Sequence, residues 1–416
     1  MGKVFSDAVE QALQYIYYDM RAQRGQEGFR LLEQASAAGD GDASCILARC
    51  LCGYQYVWAC HRFPEDDRRA SKLLHKSVEQ GSALGVLVAL RSGELTPSVQ
   101  KKMPFADLRE AFDIVLEKAE AGDAFCQYTI GNSYFWWDFV RIQGKGEDSF
   151  PSRAAYKDWL RQNIAQCEVW FLKALDNGMY FAGNNLSHYY LNGDEDLIPP
   201  QPEKAADIWR RGAEHGYPIH QYIYAGELRK AGRDTEALDW YKQAAEGGEL
   251  DAWYYVGHYY DEGKIVPRDP KYAAECFEKR LAWDEPSNSR VGCANALGGM
   301  CYDGDGVPKD YDKAFRLLLY AEQHGSSWGV CYLGKLYFRG WGTAQDFVKA
   351  REHLEKVDWN NKEAFYMLGV IYGRGLGVPE DIKKGVEYLQ KAGNNAEAKE
   401  ELLHYRKTLF GKWVRR

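Results

Sequence analysis

Three consecutive stretches of the chain share one skeleton, and that repetition constrains the fold more than any other feature. Leu297-Gly298, Gly304-Asp305-Gly306-Val307-Pro308, Asp310 and Lys313-Ala314 lead into an apolar helical pattern that ends at Gly325. Leu368-Gly369, Tyr372, Gly375-Leu376-Gly377-Val378-Pro379, Asp381 and Lys384-Gly385 lead into another that ends at Gly393. Between them lies Leu333-Gly334, with Tyr337, Gly340-Trp341-Gly342, Asp346 and Lys349-Ala350. The steps between the three Leu residues are 36 and 35. A fixed period of this length marks a stack of supersecondary units, because one unit cannot bury its apolar face alone.

Towards the N-terminus the copies weaken but persist. Val256-Gly257 with Tyr260, Val266-Pro267 and Ala273 is one, and Tyr224-Ala225 with Leu228 and Ala237 is a shortened one. Leu186 with Tyr190, Gly193 and Lys204-Ala205 is another, and Ile130-Gly131 with Tyr134 begins a fourth. The second half of the unit is traceable further, through apolar faces closing at Gly39, Gly81, Gly122, Gly178, Gly216 and Gly247. The steps from Gly39 to Gly216 are 42, 41, 56 and 38, so the first half of the chain carries insertions.

Apolar residues at i, i+4, i+7 and i+8 in each half-unit predict two amphipathic helices, not strands. Glycine at each helix end supplies the left-handed residue that stops it. In G-x-G-V-P the glycines take positive φ and proline bars helix at the residue before it, which makes a turn. Asp three residues before Lys is placed for an N-cap or a first-turn carboxylate. Gly or Ala after Leu leaves room for close approach of the second helix.

The pattern L-G-x-x-Y-x-x-G-x-G-V-x-x-D-x-x-K-A with a closing Gly resembles the Sel1-like repeat family, an α/α solenoid related to tetratricopeptide repeats. The resemblance runs over about residues 28–393 and is most specific from 251 to 393. Between 40 and 165 it is degenerate and lacks the G-x-G-V turn. It implies an all-α, right-handed superhelical solenoid of about nine helix-turn-helix repeats with terminal capping helices. The expected layout is a cap within 1–27 (Phe5–Gln23), degenerate repeats over 28–180, regular repeats over 181–393 and a second cap within 394–416 (Ala396–Trp413). An insertion over 138–165 is expected as a loop on one face. Family members usually serve as interaction scaffolds and adaptors.

The remaining features narrow the chemistry. Lys plus Arg is 53 and Asp plus Glu 60, a net charge of −7 that argues against a general nucleic-acid binder. No run of apolar residues reaches the length of a membrane span, and the N-terminal stretch lacks the apolar core and cleavage site of a secretory signal. Met1-Gly2 with Ser6 does match the loose N-myristoylation pattern. The ten cysteines contain no C-x-x-C, and the cluster Cys45, Cys50, Cys52, Cys60 and His61 has irregular spacing. Reduced thiols used as small apolar side chains are the expectation, which points to the cytoplasm. The secreted cysteine-rich branch of the resembled family places a disulfide regularly in each repeat. Here Cys126 and Cys293 fall at a small packing position and Cys301 at the Tyr position, without that regularity. Asp303-Gly-Asp305-Gly lacks the later ligands of a calcium loop, and Gly373-Arg-Gly375-Leu-Gly377 follows a helix, not a strand. No H-E-x-x-H, G-x-S-x-G or P-loop occurs. No cofactor or metal is expected.

In such a solenoid the first helix of each pair lines the concave side. Positions two before and two after the Leu are predicted to face that groove. The first column gives Tyr128, Asn184, Tyr222, Tyr254, Asn295, Cys331 and Tyr366; the second includes His188, His258 and Lys335. A ladder of Tyr and Asn suits an extended peptide, Asn bonding its backbone and Tyr adding apolar area with a polar tip. The alternative is that these residues are half-buried and join neighbouring repeats. Trp136 and Trp137 lie in the densest aromatic run, which cannot all face inward on a helix. The expected function is a non-catalytic cytoplasmic scaffold or adaptor that binds a protein segment in its groove. An inhibitor or immunity protein clamping one enzyme, and an enzyme with an unrecognised groove site, are the alternatives.

Overall fold

Each repeat turn is built by the residues that define the motif. Gly340 and Gly342 take φ of 70° and 66°, which closes the first helix and reverses the chain. Asp346 then returns its N–H to the carbonyl of Tyr337 at 3.0 Å, and its side chain caps the second helix by accepting from Lys349 N at 3.0 Å. Lys349 lays its ammonium 5.3 Å from the Tyr337 ring centroid. The next repeat does the same with Tyr372, Asp381 and Lys384, whose ammonium is 3.6 Å from the ring centroid. Such a cap contributes about 1 kcal/mol and an exposed cation–π contact about 0.5–1 kcal/mol. Where Cys301 replaces the Tyr, Lys313 has no such ring and instead donates to Glu278 of the preceding repeat at 2.6 Å. Tyr, Asp and Lys therefore act as one local unit.

The glycine after Leu sets the distance between the two helices. A Cβ at Gly298, Gly334 or Gly369 would lie 2.7, 2.7 or 2.6 Å from Leu318, Leu354 or Leu389 of the paired helix. One sequence reading needs correction here. The helix Asp234–Glu246 is stopped by Gly248 at φ 104°, whereas Gly247 is still right-handed.

The structure is a computed structural model, and it describes all residues except 1–3, 20–21, 54–55, 59–60, 195, 285 and 358–360. The chain is an all-α repeat solenoid and divides into two compact units, Met1–Glu249 and Leu250–Arg416. In the second unit the described helix pairs are Ala252–Glu262 with Pro270–Leu281, Asn288–Asp303 with Tyr311–Gln323, Val330–Arg339 with Phe347–Leu354, and Lys362–Arg374 with Ile382–Lys391. Its buried side chains fall into successive small clusters, as expected when each repeat touches mainly its neighbours. In the first unit the pairs are Gly41–Leu51 with Asp67–Glu79, Ala83–Arg91 with Leu108–Glu120, and Ala124–Phe135 with Gln166–Asp176. Ala182–Asn192 with Pro202–Glu214 and Pro218–Lys230 with Asp234–Glu246 complete it. Here the core is continuous, running from Phe5 to Tyr217.

Three segments depart from expectation. The N-terminal helix is Asp7–Leu13 and widens into a π-helical turn, Gln14–Tyr18, before the next helix begins at Ala22. The insertion is helical instead of a loop: Asp138–Gln143, the short 3₁₀ turn Glu147–Ser149, and Arg153–Ile164. Ser152 caps the last of these, while Phe150 and Tyr156 pack on Trp159 at centroid distances of 5.2 and 5.8 Å, giving the insertion its own apolar anchor. The expected helix Ala396–Trp413 ends at Leu402, and the rest is an antiparallel hairpin, Tyr405–Lys407 with Trp413–Arg415. Tyr405 is buried while Arg406 and Lys407 are exposed, and Gly411 takes φ 78° between the two strands.

Candidate functional site

The column two residues before the Leu is used largely inside the protein. Asn184 accepts from His220 at the start of the next first helix, Nε2 to Oδ1 3.1 Å. Asn295 donates to Ser326, and Asn361 donates to the Cys331 sulfur at 3.2 Å. Tyr222 is half-buried against the Tyr241 ring, and Tyr366 lies half-buried near Phe338 and the Arg339 guanidinium. Asn184 and Asn361 thus bridge consecutive repeats, and Asn295 holds the segment that closes its own repeat.

Tyr128 requires an outright correction. It is 2% exposed, in the core of the first unit. The space it faces is filled by the N-terminal segment: Arg49 donates to the hydroxyls of Tyr17 at 3.1 Å and Tyr128 at 3.4 Å, and to the Tyr56 carbonyl at 3.4 Å. Trp58 extends this filling, with its ring 4.7 Å from Phe181 and 5.3 Å from Tyr217. Residues 17 and 58 therefore touch helices several repeats downstream, which nearest-neighbour stacking does not predict.

Beside Trp58 sits His220, 0% exposed, in space left by Gly183 and Gly212. Its Nε2–H donates to Asn184 and its Nδ1 has no partner among the described residues. Burial pushes its pKa down to about 4. The unfolded chain takes up this proton below about pH 6.5 and the native state refuses it until about pH 4, so stability present above 6.5 is lost as pH falls. Between pH 7 and pH 5 the loss from His220 is about 2 kcal/mol. Urea unfolding of wild type and His220→Gln at both pH values measures it. Identical pH dependence in the two proteins would remove His220 as the cause.

In the second unit, Tyr254 stacks on the exposed His258 at 5.9 Å and packs where Gly292 has no side chain. His258 also lies 3.4 Å from Glu262. Lys335 pairs with Glu363 and lies 5.6 and 5.5 Å from the rings of Tyr302 and Tyr332. Arg339 binds Glu397 through both carboxylate oxygens, at 2.7 and 3.0 Å, and Arg374 pairs with Glu401. First-helix cations of these repeats are thus neutralised by Glu363 of the next first helix and by Glu397 and Glu401 of the terminal helix.

One exposed aromatic surface lies in the first unit, while in the second Trp328 and Phe410 are 83% and 98% exposed. Trp137 adopts φ 63°, a conformation rare for a bulky residue, and its indole N–H donates to Asp194 at 2.9 Å. This reversal ends the helix Ala124–Phe135 and starts Asp138–Gln143, whose Asp138 is paired with Arg91 at 2.8 Å and nearly buried. Trp136 is thereby left 54% exposed, edge-on to Phe135 at 4.8 Å. Phe135 in turn meets the exposed His188 at 5.9 Å. Leu191, one turn beyond His188, is also exposed. Phe135 and Leu191 lie at helix ends outside the two columns, so helical spacing does not point to them.

Cys45 and Cys50 are buried separately in helix packing, and burial pushes the Cys45 thiol up to about 12. Cys60 and Gly2 lie outside the described residues. Among the described residues no group of three His, Cys, Asp or Glu is placed to hold a metal, and no helix is long and apolar enough to cross a membrane.

Comparison with known proteins agrees with this architecture. The Sel1 repeat model matches residues 25–40, 157–179, 178–217, 233–249, 251–279, 292–326, 329–356 and 362–396. An uncharacterised protein of Neisseria meningitidis is 30% identical over 123 residues, 30% of this chain and 25% of that protein. A putative sel1-like repeat-containing protein of Acanthamoeba polyphaga mimivirus is 28% identical over 178 residues, 42% of this chain and 28% of that one. The matches thus span only about a quarter of each relative's length. The crystal structure of a Sel1 repeat protein from Oxalobacter formigenes aligns over 97% of this chain and 96% of that one, at 21% identity and a TM-score of 0.42. With its repeat model matched across more than half of the residues, the chain belongs to the Sel1 repeat family.

Proposed function

We propose that the protein is a non-catalytic scaffold that holds a segment of a partner protein against the surface around Trp136 and His188. Sel1 repeats generally mediate protein–protein interaction. The observation that carries the reading is a large ring left 54% exposed by a strained turn that packing and a hydrogen bond hold in place. Aromatic anchors of this kind dominate binding energy at interfaces, and a fixed ring loses little entropy on binding. In this reading Asn184, Lys335 and Tyr366 join repeats and Asn295 braces its own, while Tyr222, Tyr254 and His258 are secondary candidates. Cytoplasmic location belongs to the same proposal, supported by buried cysteines used as packing groups.

Affinity purification with the full chain would identify partners; a scaffold retains several proteins and a dedicated inhibitor retains one. Trp136→Ala is then expected to weaken a directly bound partner at least about tenfold, with an unchanged melting temperature. Unaltered affinity in the folded variant would remove Trp136 from the site.

A further inference from the structure

Residues 403–416 contain Arg406, Lys407, Lys412, Arg415 and Arg416 and no Asp or Glu, in a chain whose net charge is −7. The hairpin that carries them is fixed to the last helix pair. Tyr405 is buried and donates its hydroxyl to Glu401 at 3.2 Å, and the Arg415 guanidinium donates to the Gly373 carbonyl at 2.9 Å. The turn itself is ordered by Thr408 N–H to Lys412 O at 2.8 Å, Gly411 N–H to Thr408 O at 3.0 Å and Lys412 N–H to the Thr408 hydroxyl at 3.2 Å. Such a turn can hold side chains outward in one orientation. Those it holds are Leu409 and Phe410, 102% and 98% exposed, with Leu403 nearby in sequence at 64%.

We infer that this hairpin docks the protein on an anionic lipid surface. Leu409 and Phe410 enter the boundary between headgroups and acyl chains, while the surrounding basic side chains face the anionic headgroups. This attachment is separate from the Trp136 surface and does not depend on it. Two features favour lipid over a protein partner. A wedge of two side chains is far smaller than the roughly 800 Å² per partner of a stable protein interface. A membrane boundary, by contrast, accepts any projecting apolar side chain without a shaped pocket. Charge complements it: each basic residue near an anionic leaflet strengthens binding by about fivefold. Arg415 lies 3.8 Å from Glu380 and is partly neutralised, which leaves Arg406, Lys407, Lys412 and Arg416 as the main contributors.

The test is co-sedimentation of the full chain with phosphatidylcholine vesicles, with and without phosphatidylserine. Wild type is expected to bind the phosphatidylserine vesicles at least about tenfold more tightly, and less so at high salt. Leu409→Ser combined with Phe410→Ser is expected to lose at least about tenfold of that binding with the melting temperature unchanged. Phe410→Asp alone provides a second tip variant with the same expectation. Lys407→Glu with Lys412→Glu should abolish the preference for phosphatidylserine. The proposal is overturned if wild type shows no such preference, or if folded tip variants bind vesicles as well as wild type. It is overturned equally if the tip variants lose a soluble protein partner while vesicle binding persists.

Discussion

Replacing Arg49 with alanine is expected to destabilise the unit Met1–Glu249 by about 3–5 kcal/mol. The side chain is 1% exposed and, among the described residues, no carboxylate forms an ion pair with it. Its charge is balanced by ring faces and oxygens: the guanidinium carbon lies 5.4 Å from the centroids of Tyr56, Phe125 and Tyr128. A desolvated cation over several aromatic faces gains roughly 2 kcal/mol or more from them. Alanine would remove those contacts, leave a cavity, and take away the guanidinium's hydrogen bonds to the Tyr17 and Tyr128 hydroxyls and the Tyr56 carbonyl, leaving the bond that Tyr17 donates to the Tyr56 carbonyl at 2.8 Å. Arg49→Met separates the contributions, because it keeps most of the volume and discards the charge. It should cost less than alanine, since burying the guanidinium carries its own desolvation penalty. Denaturant unfolding of the three proteins reads the difference. An alanine cost below about 1 kcal/mol would show that Arg49 does not fasten the N-terminal segment.

Gly342→Ala is expected to cost about 3 kcal/mol or more, against about 1 kcal/mol for Gly340→Ala two residues away. Both glycines have nearly the same left-handed backbone, φ 66° and 70°, so the conformational penalty is shared. Their surroundings differ. A Cβ at Gly340 would meet Gln345 Cβ at 3.2 Å, a tight contact that a small local adjustment relieves. A Cβ at Gly342 would lie 2.1 Å from the Tyr311 carbonyl oxygen, at the start of the preceding repeat's second helix, where no rotamer change relieves the clash. The pair of variants therefore isolates repeat-to-repeat contact from turn geometry. Equal losses in thermal or urea unfolding would contradict that assignment.

Much of this fold was legible because its determinants are local. Asp346 and Asp381 cap the helices that follow them, and Gly340 and Gly375 take the positive φ that the motif demands. The candidate site was far less legible. Helical spacing predicts Tyr128 on a groove-facing column, and no periodicity reveals that Tyr17, Arg49 and Tyr56 converge on it from sequence separations of 72 residues and more. Trp136 and Trp137 were visible as an aromatic excess, yet their opposite fates depend on one left-handed residue. Sequence periodicity carries no sign of that reversal. LHYRKTLFGKWVRR has a tolerable apolar helical face, which is why spacing predicts a helix there. Gly411, at φ 78° between the strands, is the residue that argues against it.

The continuous core from Phe5 to Tyr217 and the serial clusters of Leu250–Arg416 imply different tolerance to gain and loss of repeats. A whole unit such as 292–326 could be duplicated or excised in the second part, since each boundary presents the same Gly and Leu surfaces to whatever follows. The first part has no such freedom. Removing one pair there would carry Phe181 or Tyr217 away from Trp58, and adding one would move them out of its reach. Chain length in this protein can therefore drift beyond Leu250 and is held fixed between Trp58 and Tyr217.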